Sequence, residues 1–473
     1  MEKEGKLNKI KEDLELIKNF LEKQSELLLD EYTSVKAEFD FVVDQTQKIE
    51  NKKINDNEIN KLKEGIENLL KNKKTCKLIE SLDNNDKNKL QGKLFFCCTY
   101  SPQKGNVKGR KVTLVSDKPF EKEGGQGFFD KNKNNIEIYR VVNSTGKEKK
   151  YKLNKHFPDD ENKNDEDDNG NKIIEENGNV FTVEKDNNNL YETFIIVINK
   201  NGNNINNDEN ETIDLSGMFY DCSDLTGVSV QIGDIEGSSI PANSPIKKIN
   251  NVKYMFANCS SLKTTNGLEN LGCYENIIDD FEGMFYGCTS LINIDGLEKW
   301  IVSNGKNFSY MFARCSFLQN LNALSNWNVS KGTDFSGMFK VCSSLQNLNA
   351  LENWNVSNGK NFSFMFSECT SLQNVNGLEK WNVSNGKNFS FMFYGCSSLQ
   401  NIGGLEKWNV SKGENFNRMF NECTILTDID ALESWKFAAK EINFSNMFKG
   451  CTNLTDDNIP QNLKDKGVKI NNN

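Results

Sequence analysis

The side chains with the widest chemical reach in this sequence are its 13 cysteines, and most of them fall at one place in a repeating pattern. Cys222, Cys259, Cys288, Cys315, Cys342, Cys369, Cys396, Cys423 and Cys451 each follow, by three residues, the Phe of a Met-Phe pair. Such a column of thiols is open to three chemistries: metal ligation, oxidation between neighbours, or burial as small apolar groups. Metal ligation is poorly served, because no Cys-x-x-Cys occurs and the sole His is His156, far from the column. Stacked repeats bring neighbouring cysteines within about a strand spacing, which a disulfide can span. Yet each Cys shares a face with Met and Phe, where a free thiol behaves as a small buried hydrophobe. Burial is the expected role.

A second candidate site is a run of oxygen ligands. Asp165, Asp167, Asn169, Gly170 and Glu176 fit the spacing of a calcium loop, with ligands at positions one, three, five and twelve. Its flanks do not match. Pro158 and the run DDENKNDEDDNGN supply no entering helix, Asn177 and Gly178 oppose a leaving one, and Lys172 stands where an apolar residue pairs such loops. A solvated acidic loop is the expected reading, with calcium the alternative. Phosphate-loop and nucleophile-elbow motifs are absent from the sequence, and a single His removes the commonest general-base arrangement. No enzyme activity and no cofactor other than that candidate calcium are expected.

What positions the cysteines is the repeat itself. The Met-Phe pairs begin at Met218, Met255, Met284, Met311, Met338, Met365, Met392, Met419 and Met447, settling to a period of 27 residues. The chain's six Trp residues, Trp300, Trp327, Trp354, Trp381, Trp408 and Trp435, keep the same period, with Leu271 in the preceding copy. A fixed period of this size means one supersecondary unit stacked on its neighbours. In Leu372 to Leu378, apolar residues at Leu372, Val375 and Leu378 suit a short half-buried strand. Phe389, Met392, Phe393 and Cys396 have the spacing of one face of a two-turn helix, with Asn388 placed to cap it. One strand and one short helix per period point to a leucine-rich repeat, and too few residues remain for a propeller blade.

The stretch from about Ile213 to Asn458, with its Trp-x-Val-Ser, Met-Phe-x-x-Cys and Ser-Leu elements, resembles the BspA-like leucine-rich repeat surface proteins numerous in mycoplasmas and host-associated bacteria. The resemblance implies adhesion or other binding to proteins or cell surfaces, no catalysis, and a place on the cell surface. The first residues nonetheless show no apolar signal core, and no run is long enough to span a membrane.

Outward-facing polar columns are the candidate ligand-binding residues. Asn293, Asn320, Asn347, Asn374, Asn401 and Asp428 form one, and Asp295, Asn322, Asn349, Asn376 and Asp430 the other, with Gly403 in the remaining copy. Both are expected on the concave face, as an amide ladder, a recognition surface, or both. The partner is expected to be a protein or cell-surface ligand. A formal charge of -9 and pI near 5.2 disfavour nucleic acid. Leu297 to Asn458 carries 14 acidic and 14 basic residues, so the repeats favour short-range recognition over electrostatic capture.

The expected architecture is α+β and multi-domain. Residues 1–92 form an α-helical segment with a heptad stripe, Leu7, Leu14, Leu21, Leu28, Val35, Val42 and Ile49, either a helical hairpin or a dimerising coiled coil. Residues 93–200 form a small β-rich region around runs such as KLFFCCTY and YETFIIVIN. The solenoid takes 210–458 and a polar tail 459–473. A structural spacer, oligomerised through the N-terminal helices, is the alternative function.

Overall fold

The computed structural model describes residues 94–100, 111–116, 118–119, 127–132, 136–144, 147–152, 180–182, 192–198, 212–232, 248–272 and 278–470. The chain divides into two compact units, Met1–Lys87 with Val141–Lys150, and Asn88–Arg140 with Tyr151–Asn473. Of the first, only parts of the strands β3 (Ile136–Ser144) and β4 (Lys147–Lys152) are described. The heptad segment over 1–92, His156 and the candidate calcium residues Asp165, Asp167, Asn169 and Glu176 lie outside the described residues.

In the second unit the apolar runs upstream of the repeats become β1 (Leu94–Tyr100), β2 (Lys111–Thr113), the short helix α1 (Phe128–Asn132), β5 (Val180–Thr182) and β6 (Glu192–Ile198). Three further strands, β7 (Thr212–Asp214), β8 (Leu225–Ile232) and β9 (Lys248–Asn251), belong to the first repeats. β1 lies antiparallel between β6 and β8, pairing Phe96 with Ile196 on one side and Val230 on the other. Alternation along β1 puts Phe96, Cys98 and Tyr100 in the core. Because β8 follows the first Met-Phe-x-x-Cys directly, sheet and repeats share one core. The Phe96 ring meets Phe219 edge-on at 5.7 Å, and the Ser116 N–H donates to Met218 O at 2.9 Å. The sheet region thus covers the first end of the repeat stack.

Each Met-Phe segment is a chain of turns, not the two-turn helix its spacing suggested. Met392 N–H donates to Phe389 O and Cys396 N–H to Phe393 O, both at 3.2 Å. The third residues of these turns, Phe391 and Gly395, have φ of 57° and 69°. The same two positions are left-handed in every copy, from Gly217 and Asp221 to Asn446 and Gly450. Helical spacing arises here because successive tight turns also return a side chain to one side every three or four residues. The freed N–H groups then point along the stack. Phe389, Phe391, Phe393 and Gly395 donate to Asn415, Asn417, Met419 and Asn421 of the next copy at 2.8–2.9 Å.

The Leu-rich segment, expected as the strand, is mostly turn and 3-10 helix, as at Asn322–Leu324 and Asn349–Leu351. It makes a sparser ladder, with Gln400 N–H on Gln373 O at 3.1 Å. Its apolar residues Leu372, Val375 and Leu378 are fully buried as the sequence indicated. Met, Phe, Cys and Leu columns fill the interior, and like rings stack on like. Phe366 and Phe393 lie 5.6 Å apart, and Trp381 and Trp408 lie 6.4 Å apart.

The expected polar tail packs instead. After a 3-10 turn at Asp456–Asn458, capped by Thr455, helix α2 (Gln461–Lys464) buries Leu463, and Val468 is buried beyond it. One more short helix, Glu269–Gly272, sits within the early repeats.

Two stability outcomes follow. Trp381→Ala or Phe393→Ala removes a buried ring from mid-stack and should cost about 3–5 kcal/mol, with broadened, less cooperative unfolding in denaturant. Val341→Asn should act oppositely. Val341 is β-branched at φ 61°, where Asn258 stands in another copy, so the change should add about 1 kcal/mol to stability in the same assay.

Candidate functional site

Cys98 and the nine repeat cysteines are buried thiols outside any disulfide. Each repeat thiol from Cys259 onward donates to a Phe carbonyl of the preceding copy: Cys396 Sγ to Phe366 O at 3.2 Å and Cys423 Sγ to Phe393 O at 3.1 Å. Those carbonyls already accept the Cys N–H of their own turn, so the thiol fills the second lone pair. Burial pushes the thiols of Cys315, Cys342, Cys396 and Cys423 well up, and those of Cys369 and Cys451 to about 12. A protonated, enclosed thiol is neither nucleophile nor ligand.

The Trp column repeats this arrangement with a different donor. Trp381 Nε1 donates to Leu351 O and Trp408 Nε1 to Leu378 O, each at 2.9 Å, while each Leu carbonyl also accepts the N–H of its own copy's Trp. At the far end Asn462 Nδ2 donates to Leu432 O at 2.9 Å, taking the place an indole would fill. A third column does the same through hydroxyls, Ser343 Oγ on Ser316 O at 3.2 Å and Thr370 Oγ1 on Ser343 O at 3.4 Å.

Asn has its own use. Its side-chain oxygen accepts the N–H two residues on, at Asn355 for Ser357, Asn361 for Ser363 and Asn374 for Asn376. Three such turns per copy explain why the residue is so abundant. The expected binding columns are of this kind. Asn293, Asn320, Asn347, Asn401 and Asp428 accept from residues 295, 322, 349, 403 and 430 of their own copies. Their oxygens are thus engaged within the copy, and Asn293 Oδ1 also accepts from Thr264 Oγ1 of the preceding copy at 3.4 Å. Asn320, Asn322, Asn347, Asn349, Asn376, Asn401, Asp428 and Asp430 are exposed, and Asn293, Asp295 and Asn374 are half-buried. The columns flank the sparser ladder.

The Met-Phe ladder carries a row of a different kind. Tyr254, Tyr286, Tyr310, Phe364, Phe391 and Tyr394 are half-buried on it, while the Met and Phe between them are fully buried. Arg314 lies over the Tyr286 ring at 5.8 Å, Lys340 over Phe364 at 4.9 Å and Arg418 over Phe391 at 5.3 Å. The Tyr254 hydroxyl donates to Glu282 at 2.8 Å, and Lys253 reaches Glu282 at 3.0 Å and Asp280 at 3.4 Å. Burial, then the Glu282 carboxylate, pushes the Tyr254 phenol well above its ordinary value. The available signal was the residue before each Met-Phe, which runs Gly217, Tyr254, Gly283, Tyr310, Gly337, Phe364. Elsewhere a shallow hollow lies over Trp354, lined by Glu352, Asn353, Asn355, Lys380 and Asn382.

The fold and its surfaces define a repeat protein with a closed apolar interior and long polar and aromatic faces. The family model described as Mycoplasma protein of unknown function, DUF285, matches residues 250–376 and 346–463. No curated protein and no solved structure matches the chain. No described helix is long and apolar enough to cross a membrane.

The thiol column should resist reagent in the native protein and react once denaturant is added, with disulfides found at the repeat positions overturning the assignment. The pH dependence has a definite sign. Folding raises these thiol values above the unfolded one near 8.5. Their contribution is full below about pH 8.5 and is lost as pH climbs toward about 12, the folded value of Cys369. Melting temperature should fall over that window.

Proposed function

We propose that the repeats form a leucine-rich-repeat solenoid that binds a protein or cell-surface ligand without catalysis, in the manner of an adhesin. The observation that carries this reading is the row of exposed Asn and Asp side chains, from Asn320 to Asp430, set out at repeat spacing beside a fully buried interior. Their oxygens hold turns, which leaves the amide N–H groups of Asn347 and Asn374 to face a partner in fixed positions. A rigid scaffold with preset polar groups loses little entropy on binding. The match to a family described from Mycoplasma supports a place among repeat proteins of that kind. Exposure at the cell surface belongs to the proposal, and protease shaving of intact cells followed by detection of repeat peptides checks it.

A second reading is supported by the stitching between copies, which suits a stiff spacer, oligomerised through the helices expected over residues 1–92. One set of variants separates the two. Replacing Asn347, Asn349, Asn374 and Asn376 together with Lys should abolish binding of the ligand found in pull-down, while the melt shifts by no more than about 1–2 kcal/mol from charge repulsion. Alanine at the same four positions controls for that repulsion. Undiminished binding by both folded variants would favour the spacer.

A further inference from the structure

We infer that the aromatic row on the Met-Phe ladder, centred on Tyr254, Tyr286 and Tyr310, binds a neutral, extended β-1,4-linked glycan. The inference rests on the reading of these repeats as a binding protein, but not on the Asn columns.

Three observations converge on that ligand. The first is seating. A side chain at Gly283 would collide with the Tyr254 ring at 2.2 Å, and one at Gly337 with the Tyr310 ring at 2.5 Å. Each Tyr ring therefore occupies the space over a glycine of the next copy, held at one level and still half-exposed. Rings fixed in this way suit the apolar faces of pyranose rings, which stack on aromatic surfaces.

The second is spacing. The buried Phe256, Phe285 and Phe312 rings of the same copies step by 5.4 and 5.5 Å. Tyr254 and Tyr310 stand two such steps apart, close to the rise of one disaccharide along an extended β-1,4-linked chain. Tyr286, in the copy between, comes from the position after Met-Phe rather than before it, where Ala257 and Ala313 stand in the flanking copies. The aromatic side chain thus changes column from copy to copy. A β-1,4-linked chain turns over from sugar to sugar in the same rhythm.

The third is charge. Lys253 is paired with Asp280 and Glu282, Arg314 lies over Tyr286 and Lys340 over Phe364. Cations engaged in this way make no array for an anionic polysaccharide. The carboxylates and the Arg314 edge instead offer hydrogen bonds to sugar hydroxyls.

Isothermal titration of the full chain with cellohexaose, chitohexaose and maltohexaose tests the inference. At least one β-1,4-linked hexamer should bind, and its disaccharide should bind more weakly. Tyr254→Gly with Tyr310→Gly places at both sites the residue that stands there in the neighbouring copies, at a left-handed φ that glycine accepts. This pair should weaken binding by roughly tenfold or more without lowering the melting temperature. Tyr286→Ala, which matches Ala257 and Ala313, is the independent second variant and should also weaken it. Absence of binding to both β-1,4-linked hexamers, equal binding of maltohexaose, or undiminished binding by the folded variants would overturn the inference. A protein that ignores every glycan but loses a partner when the Asn columns are replaced would keep the recognition reading and lose this one.

Discussion

From Phe389 to Gly395 the alternate backbone N–H groups all point toward the following copy, and the carbonyls of the residues between them point toward the preceding one. A parallel strand alternates its groups in the same way but makes no tight turns, and combining the two here takes two left-handed residues per copy. Each non-glycine residue at those positions costs about 1–2 kcal/mol. The cost is offset by three or four short backbone bonds to the next copy and by the stacked rings beneath them. Strain of this kind often marks an active site. Here it recurs in every copy, so it belongs to the scaffold.

Side-chain donors run the other way. Cys thiols and Trp indoles reach back to carbonyls that have already accepted one N–H from their own turn, and Ser or Thr hydroxyls reach back to carbonyls of the preceding copy. Copies are thereby stitched in both directions, and the columns that looked most reactive are consumed in the stitching. A hydroxyl in place of Cys396 would be a stronger donor, but it would be a more polar group among Met392 and Phe393. A thiol satisfies the carbonyl and remains apolar enough for that core.

The period, the buried columns and the strands β1 and β6 were legible in the sequence because apolar spacing reports burial directly. Backbone conformation was not legible in the same way. Phe389, Met392, Phe393 and Cys396 have helical spacing, yet Gly stands at 217, 283, 337 and 395 where a helix has no need of it. Those glycines were the sign of left-handed turns, and Phe364 or Val341 at equivalent positions concealed it. The cap was hidden for a different reason. Asn462 imitates an indole donor through tertiary placement alone, and no local pattern announces that. The aromatic row escaped because a half-buried Tyr beside a fully buried Met reads as more core.

A ladder with a single direction has two unlike ends, and these are met by unlike devices. At the first end Met218 O faces no earlier copy, and the Ser116 N–H meets it from the sheet region. At the other, Leu432 O faces no later Trp, and Asn462 meets it from α2. Between those ends every interior position is bound by the same hydrogen bonds, which leaves little freedom for the columns pointing inward. Side chains leave the stack at the Asn columns and along the aromatic row, held there by the turns and by the glycines beneath the rings. The ladder that holds the copies together therefore also sets the spacing at which any partner is met: one copy's rise for the Asn columns, and two for the alternating rings Tyr254 and Tyr310.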